Sequence, residues 1–180
     1  ASLLPTAGPL DVVAYACTSG ATVIGPANVA DAIQSIHSTA STTDPLSAVI
    51  AACRHLGIKR LGVVSPYVAE VCTAMNSLLE QNGLTIAAFG SFEQSEEALV
   101  ARITPQSVHD AVCAVGRNGD VDAIFAACTN LRTFGIIDRA EATIDKPVIT
   151  SNQALAWHML TLANATTKGV GPGMLFDGSP

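Results

Sequence analysis

Aromatic residues make up only 4% of this sequence and charged residues only 13%. Sparse charge on a hydrophobic chain excludes a disordered polyelectrolyte. The balance is acidic, with a net charge of −6, and no run of Lys and Arg occurs. The basic footprint of a nucleic-acid binder is therefore missing. The five cysteines, Cys17, Cys53, Cys72, Cys113 and Cys128, form no CxxC pair and are odd in number. That argues against a disulfide framework and against a zinc site. Unpaired thiols fit a reducing, cytosolic compartment. His37, His55, His109 and His158 lack metal-ligand spacing, so no metal is expected. No apolar run reaches the roughly 18 residues of a membrane span, and no signal-peptide pattern is visible at the Ala1 start. Gly20 and Gly25 have the glycine spacing of a phosphate loop without its following Lys-Ser/Thr, so no nucleotide cofactor is expected.

What the chain does have is 49% hydrophobic residues, rich in Ala, Val and Ile, and 14 glycines. That composition suits an α/β protein whose strands are covered on both faces. A chain of 180 residues can bury a core as one domain or two small lobes. Residues 1–9 read as a frayed helix end and a Pro/Gly turn. Strands are expected at 10–16, 33–38, 60–65, 84–89, 121–127 and 147–150. Helices are expected from Cys17 to about 32, and at 45–56, 66–81, 105–117, about 131–143 and 151–164, with a short one inside 93–103. Residues 38–44 read as a polar loop whose Thr and Asp cap the helix that Pro45 opens. The tail from 166 reads as irregular. Strands alternating with helices predict parallel sheets built from βαβ units.

The chain repeats itself. Leu10–Thr18 (LDVVAYACT) matches Val121–Thr129 (VDAIFAACT) without a gap, and the same 111 residues separate Asp11 from Asp122 and Cys17 from Cys128. Held at that offset, Thr39 falls on Thr150 and Ala40-Ser41 on Ser151-Asn152. A duplication predicts two pseudo-symmetric lobes with parallel four-stranded sheets flanked by helices. The first lobe spans residues 1–56 and the second 57–164, with 165–180 available to complete the first. The second copy has roughly 60 residues before its cysteine and the first has 16. On that comparison roughly 45 residues of the first lobe, including its opening strand, are expected to lie outside this sequence.

Both Cys17 and Cys128 fall at the carboxyl end of a predicted strand, where open α/β sheets bind ligands. Backbone N–H groups of Thr18, Ser19, Thr129 and Asn130 are placed to cradle an anion and to favour thiolate. A thiolate on one face of a carbon acid removes a proton, and a thiol on the other face delivers one. Alternatively, one thiolate adds to an activated double bond and the other thiol protonates the carbanion. Free cysteine usually just packs. That is the reading for Cys53, Cys72 and Cys113 on helix faces, whereas the duplicated, polar setting singles out Cys17 and Cys128.

These residues resemble the aspartate/glutamate racemase superfamily, in the branch of maleate cis-trans isomerase, arylmalonate decarboxylase and ectoine-utilisation racemase-like proteins. The motifs are Tyr15–Gly20 (YACTSG), Val64–Tyr67 (VSPY), Ala127–Arg132 (ACTNLR) and Pro147–His158 (PVITSNQALAWH). The resemblance implies an active site between two lobes, catalytic thiols at Cys17 and Cys128, and substrate-carboxylate contacts from Thr18, Ser19, Tyr67, Thr129 and Asn130. The family's opening strand, which supplies an Asn, is not in this sequence. Decarboxylases of this branch keep one cysteine, and this chain has both. Ser41 and Asn152 are read as ends of equivalent strands, reaching the cleft or capping helices. Arg132 is expected in an ion pair, and His158 and Trp157 in packing.

The function expected is a cofactor-independent isomerase or racemase of a small mono- or dicarboxylate, either a maleate isomerase or an Asp/Glu-type racemase. An arylmalonate-decarboxylase-like lyase and a non-catalytic small-anion binding protein are the rival readings. A homo-oligomer, taken as a dimer, is expected from the apolar helices and the family.

Overall fold

A computed structural model describes residues 1–5 and 8–178. The first lobe runs β1 (Val12–Ala14), α1 (Thr18–Ile24), α2 (Pro26–Gln34), β2 (Ser41–Thr43) and α3 (Pro45–His55). The second runs β3 (Arg60–Ser65), α4 (Ala69–Gln81), β4 (Thr85–Ser91), α5 (Glu97–Val100), α6 (Pro105–Gly116) and β5 (Ala123–Ala126). It continues through a 3-10 turn (Phe134–Ile136), α7 (Ile137–Ile144), β6 (Val148–Thr150) and α8 (Ser151–Leu162), and α9 (Met174–Asp177) follows in the tail. Among these residues no helix is long and apolar enough to cross a membrane.

The second lobe is a four-stranded parallel sheet in the order β4-β3-β5-β6, as expected. Alternation of strand and helix forces this, because parallel neighbours need a crossover between them. Helix α6 lies close on β3 because position 62 carries no side chain. A Cβ on Gly62 would meet Val115 Cγ1 at 2.7 Å and Ile124 Cδ1 at 2.8 Å. The first sheet contains two strands among the described residues, β1 and β2, also parallel. β1 and β2 are the counterparts of β5 and β6.

Three expectations are corrected. Residues 33–38 are not a strand: Val29 and Ile33, one helical turn apart, bury one face of α2 against Val13 and Ala40. The strand beside β1 is Ser41-Thr42-Thr43, inside the stretch read as a polar loop. Its polarity is tolerated because the buried Thr43 hydroxyl is paired, at 2.8 Å from His158 Nδ1 and 3.3 Å from the Asp44 carbonyl. Residues 1–5 hold only turns and no helix end, and Thr6 and Ala7 lie outside the described residues.

The repeat is also not at constant offset. Asp44 caps α3, accepting from Leu46 N at 2.9 Å and Ser47 N at 3.2 Å. Thr150 caps α8 in a reciprocal box with Gln153. Asp44 lies 27 residues after Cys17, but Thr150 only 22 after Cys128. The first copy is longer here because two helices, α1 and α2, occupy the connection.

The larger of the two buried clusters crosses between the lobes, while Val13, Val29, Ile33 and Ala40 form a smaller one within the first. Leu46, Val49 and Cys53 of α3 and Ala154, Leu155 and Trp157 of α8 belong to the same buried cluster as the β3 and β5 side chains. Helix α8 touches β1 and β2 as well as β6. The tail caps the second lobe instead of completing the first. Gly173 N donates to Asp138 at 2.8 Å, Met174 N to Glu141 at 2.9 Å, and Gln153 Nε2 to the Pro172 carbonyl at 2.8 Å.

Candidate active site

Cys17 caps α1. Its Sγ accepts from Gly20 N at 3.3 Å and lies 3.7 Å from Ser19 Oγ, and it is half-buried. The Tyr15 hydroxyl stands near the same sulfur. Both atoms crowd the side of Gly20 where a Cβ would stand, 3.1 Å from Sγ and closer still to the phenol. Glycine at 20 is what lets the phenol reach the thiol. Burial, then the charge and hydrogen bond of Cys17, raise the Tyr15 pKa, so Tyr15 stays a donor.

Cys128 is buried and holds φ at +97°. A non-glycine residue there carries strain of about 1–3 kcal/mol and needs a surrounding that over-determines it. The surrounding is present. Cys128 N donates to Ser151 Oγ at 3.0 Å, Asn130 N donates to Cys128 Sγ at 3.4 Å, and Leu131 N donates to the Cys128 carbonyl at 3.4 Å. Burial raises the thiol's pKa. The Tyr67 hydroxyl and the Asn130 amide pull it back, and the Glu97 carboxylate adds to the rise. Cys128 is therefore a thiol at neutral pH.

The segments that carry the two cysteines meet across the seam between the lobes. Thr18 Oγ1 donates to Ser151 Oγ at 2.9 Å, and Ser151 in turn receives Cys128 N. Thr129 Oγ1 donates to the Ala16 carbonyl at 2.9 Å. Tyr67, buried just after β3, has Cys128, Thr18 and Cys17 as its polar neighbours. Burial first, and then Cys128, push the Tyr67 pKa up. Its backbone is pinned from both sides. Tyr67 N donates to Ser65 Oγ at 3.1 Å, and Ser91 Oγ donates to the Tyr67 carbonyl.

The structure thus gathers Cys17, Thr18, Ser19, Tyr67, Thr129 and Cys128 about one seam. Asn130 is there, but its Nδ2 donates to Glu97 Oε2 at 2.8 Å and to the Glu97 carbonyl at 3.2 Å. Asn152 braces the Cys128 loop through Nδ2 to the Thr129 carbonyl at 2.9 Å. Ser41 is a correction. It opens β2 opposite Val12, whereas the cysteines follow the other ends of β1 and β5. The constant offset misplaced it.

Sequence reasoning missed Tyr15, Ser151 and Glu97. Ser151 stands beside the named Asn152, at the first turn after β6, where the corrected cap alignment would have pointed. A cavity of about 160 Å³ opens beside Ser19 and Tyr67, lined also by Val68, Gln94, Glu97 and Val100, among others; neither cysteine lines it. One water occupies about 30 Å³ of liquid, so the space suits a molecule of a few heavy atoms. Cys53, Cys72 and Cys113 lie outside the site and are buried. Burial alone pushes the Cys53 thiol up to about 12. Among the described residues no group of three or more His, Cys, Asp or Glu is placed to hold a metal.

The arylmalonate decarboxylase family profile matches residues 6–176. The chain belongs to that family. Within the arylmalonate decarboxylase family it is 22% identical over 177 residues to a maleate isomerase of Pseudomonas putida, covering 94% of this chain and 71% of the relative. It is 28% identical over 135 residues to the arylmalonate decarboxylase of Bordetella bronchiseptica, covering 74% of this chain and 56% of the relative. In three dimensions it matches a cysteine-to-alanine variant of the Pseudomonas putida S16 maleate isomerase, crystallised with maleate. The TM-score is 0.87 and the identity 27%, with coverage of 94% of this chain and 70% of that one. A crystal structure of arylmalonate decarboxylase matches with a TM-score of 0.82 and 26% identity, over 94% and 76%. The resemblance drawn from the cysteine motifs and the α/β architecture both stand on these matches.

Proposed function

We propose that this chain carries the thiol pair of a cofactor-independent isomerase or racemase acting on a small mono- or dicarboxylic acid. The observation that carries the reading is the contact across the seam, in which Ser151 Oγ accepts from Thr18 Oγ1 at 2.9 Å and from Cys128 N at 3.0 Å, with Tyr67 beside it. One small acid beside Tyr67 is then flanked by both sulfurs.

The two thiols have different roles. Cys128, held as a thiol by burial and by the Glu97 charge, delivers a proton. Cys17, half-buried with donors from Gly20 N and Tyr15, is the base or nucleophile. In racemisation the Cys17 thiolate takes the proton from the carbon beside the carboxyl group, leaving its electron pair delocalised onto that carboxylate. Cys128 S–H then gives its proton to the opposite face and becomes the thiolate. In cis-trans isomerisation the Cys17 sulfur forms a bond to one olefinic carbon and the electron pair moves to the other. Cys128 protonates that carbon, the single bond rotates, and the reverse steps expel the thiolate. Thr18, Ser19 and Tyr67 are the hydroxyl donors beside the carboxylate.

A second reading has a specific support, the family profile and the 28% identical decarboxylase. Loss of CO2 from a malonate leaves the same carbanion, and a single thiol suffices to protonate it. Three assays separate these: solvent deuterium entering Cα of aspartate or glutamate, maleate turning to fumarate, and CO2 release from an arylmalonate. Turnover in either of the first two, lost by at least about a hundredfold in both Cys17→Ser and Cys128→Ser, supports the two-thiol reading. Turnover that survives Cys17→Ser but not Cys128→Ser moves the assignment to the lyase. Binding without turnover, unaffected by either substitution, moves it to an anion-binding protein.

A further inference from the structure

The two copies of the cysteine segment end differently, and one serine makes the difference. In the second sheet Ile124 N donates to the Pro147 carbonyl at 2.9 Å, and four residues on in each strand Cys128 N donates to Ser151 at 3.0 Å. There the acceptor is the Ser151 hydroxyl, because residue 151 has already turned into the first position of α8. The side chain thus stands in for the carbonyl that a longer β6 would offer to Cys128. Asp44 and Thr150 are the equivalent caps, so the counterpart of Ser151 in the first copy is Pro45, which has no hydroxyl. Cys17 N turns to the Tyr15 carbonyl, at 3.1 Å. Cys17 keeps an extended backbone, with φ at −139°, whereas Cys128 is held at +97°. Ser151 Oγ also accepts from Thr18 Oγ1 at 2.9 Å, which fills both of its acceptor positions. Ser151 is 0% exposed, so it acts through these two neighbours and not on a ligand.

We propose that Ser151 is a positioning residue for the Cys128 thiol: its hydroxyl holds the Cys128 backbone at positive φ and so fixes where the sulfur stands. The inference rests on the two-thiol reading above and adds what sets the second thiol. A residue with a side chain keeps such a φ only where its surroundings impose it. Ser151 is itself fixed from two sides. The reciprocal box of Thr150 and Gln153 sets the first turn of α8, and Thr18 holds the Ser151 oxygen from the first lobe. The place of Cys128 is thereby tied to the segment that carries Cys17. Two groups acting on opposite faces of one carbon need that fixed relation. Without the hydroxyl, Cys128 N–H loses its buried acceptor and the strained backbone has less to keep it, so the sulfur leaves its buried place. The titratable groups that face the sulfur are Tyr67, from the segment after β3, and Glu97, at the start of α5. A substitution at Ser151 alters neither.

The test follows alkylation of each cysteine by iodoacetamide as a function of pH, resolved by peptide mass spectrometry, and needs no substrate. In the wild type Cys128 should react slowly, with a midpoint above the ordinary thiol value of about 8.5. In Ser151→Ala that midpoint should fall by at least about half a pH unit, and the rate at neutral pH should rise at least about fivefold. Cys17 should stay within about twofold of its wild-type rate, and the buried Cys53, Cys72 and Cys113 should stay as slow as before. Ser151→Thr keeps the hydroxyl on a larger side chain and should return the Cys128 profile toward wild type, which a mere packing role would not do. An unchanged Cys128 in Ser151→Ala, an equal acceleration of every thiol, or a Ser151→Thr profile as displaced as that of Ser151→Ala would each overturn the proposal. In the wild type alone, the Cys128 amide should exchange with solvent deuterium as slowly as the amides of β5, and fast exchange there also overturns it. The two-thiol reading fails separately, when Cys17→Ser and Cys128→Ser keep full turnover on whichever acid is converted. Turnover that needs both thiols, with Cys128 indifferent to Ser151, sinks only the positioning role.

Discussion

The proposed chemistry rests on how differently two like residues are placed. Cys17 is half-buried and relaxed, whereas Cys128 is buried and strained, with φ at +97°. Their phenols differ too: Tyr15 comes from two positions before its own cysteine, and Tyr67 from the end of β3. If Cys128 must be protonated to act, activity is retained up to its pKa and lost above it. Because burial raises that pKa, the alkaline limb of kcat/KM should lie above the ordinary thiol value of about 8.5. Tyr67→Phe removes a donor that stabilises the thiolate, so the limb should move further up while the plateau falls by about ten- to a hundredfold. A limb that stays in place, measured by pH-rate profile and by alkylation of Cys128, would remove Tyr67 from contact with the sulfur. Cys17, Thr18, Ser19, Tyr67 and Cys128 were legible because each lies in a short motif at a strand end. Ser151 and Glu97 were not, since their meaning comes from partners far along the chain: Thr18 for Ser151, Asn130 for Glu97.

At the scale of elements, apolar runs of uniform character read well. β3 has the predicted bounds, because Leu-Gly-Val-Val between a basic entry and a proline admits few alternatives. The failure was between α1 and α3. There an apolar pattern with Val29 and Ile33 is helical and a Ser-Thr-Thr run is a strand. Polarity misled because hydroxyl side chains fit a buried strand position whenever a neighbour pairs with them, and the neighbour of Thr43, His158, is 115 residues away. What placed the elements correctly was capping. The buried Asp44 carboxylate engages Leu46 N, Ser47 N and, at 2.6 Å, the Ser47 hydroxyl. Asp44→Ala should cost about 1–2 kcal/mol and Asp44→Asn less, read as shifts in urea midpoint at unchanged slope. A loss below a few tenths of a kcal/mol would mean that Pro45 alone sets the start of α3.

The two sheets meet at a seam that is also the candidate site, so the residues proposed to bind also join the lobes. Helices α3 and α8 lie in one buried cluster with the side chains of the second sheet, and α8 also touches β1 and β2, which predicts a single unfolding transition instead of one per lobe. The Thr43–His158 contact lies on that seam and makes the transition sensitive to pH. Burial lowers the His158 pKa below its ordinary value, with nearby Asp44 pulling the other way. A histidine of that kind binds fewer protons folded than unfolded. Its contribution is present above the unfolded pKa of about 6.5 and is lost as pH falls through the folded one. Acidification from pH 7 to pH 5 should therefore lower the urea midpoint of the wild type more than that of His158→Gln, which has no proton to gain. Both should unfold in one step by fluorescence of Trp157, which stacks on His158 with ring centroids 6.1 Å apart, and by circular dichroism. Equal acid sensitivity in the two proteins would place the titrating group elsewhere. Two separated transitions would mean that the thiols are carried by lobes that part before they unfold, and that the shared core does not couple them.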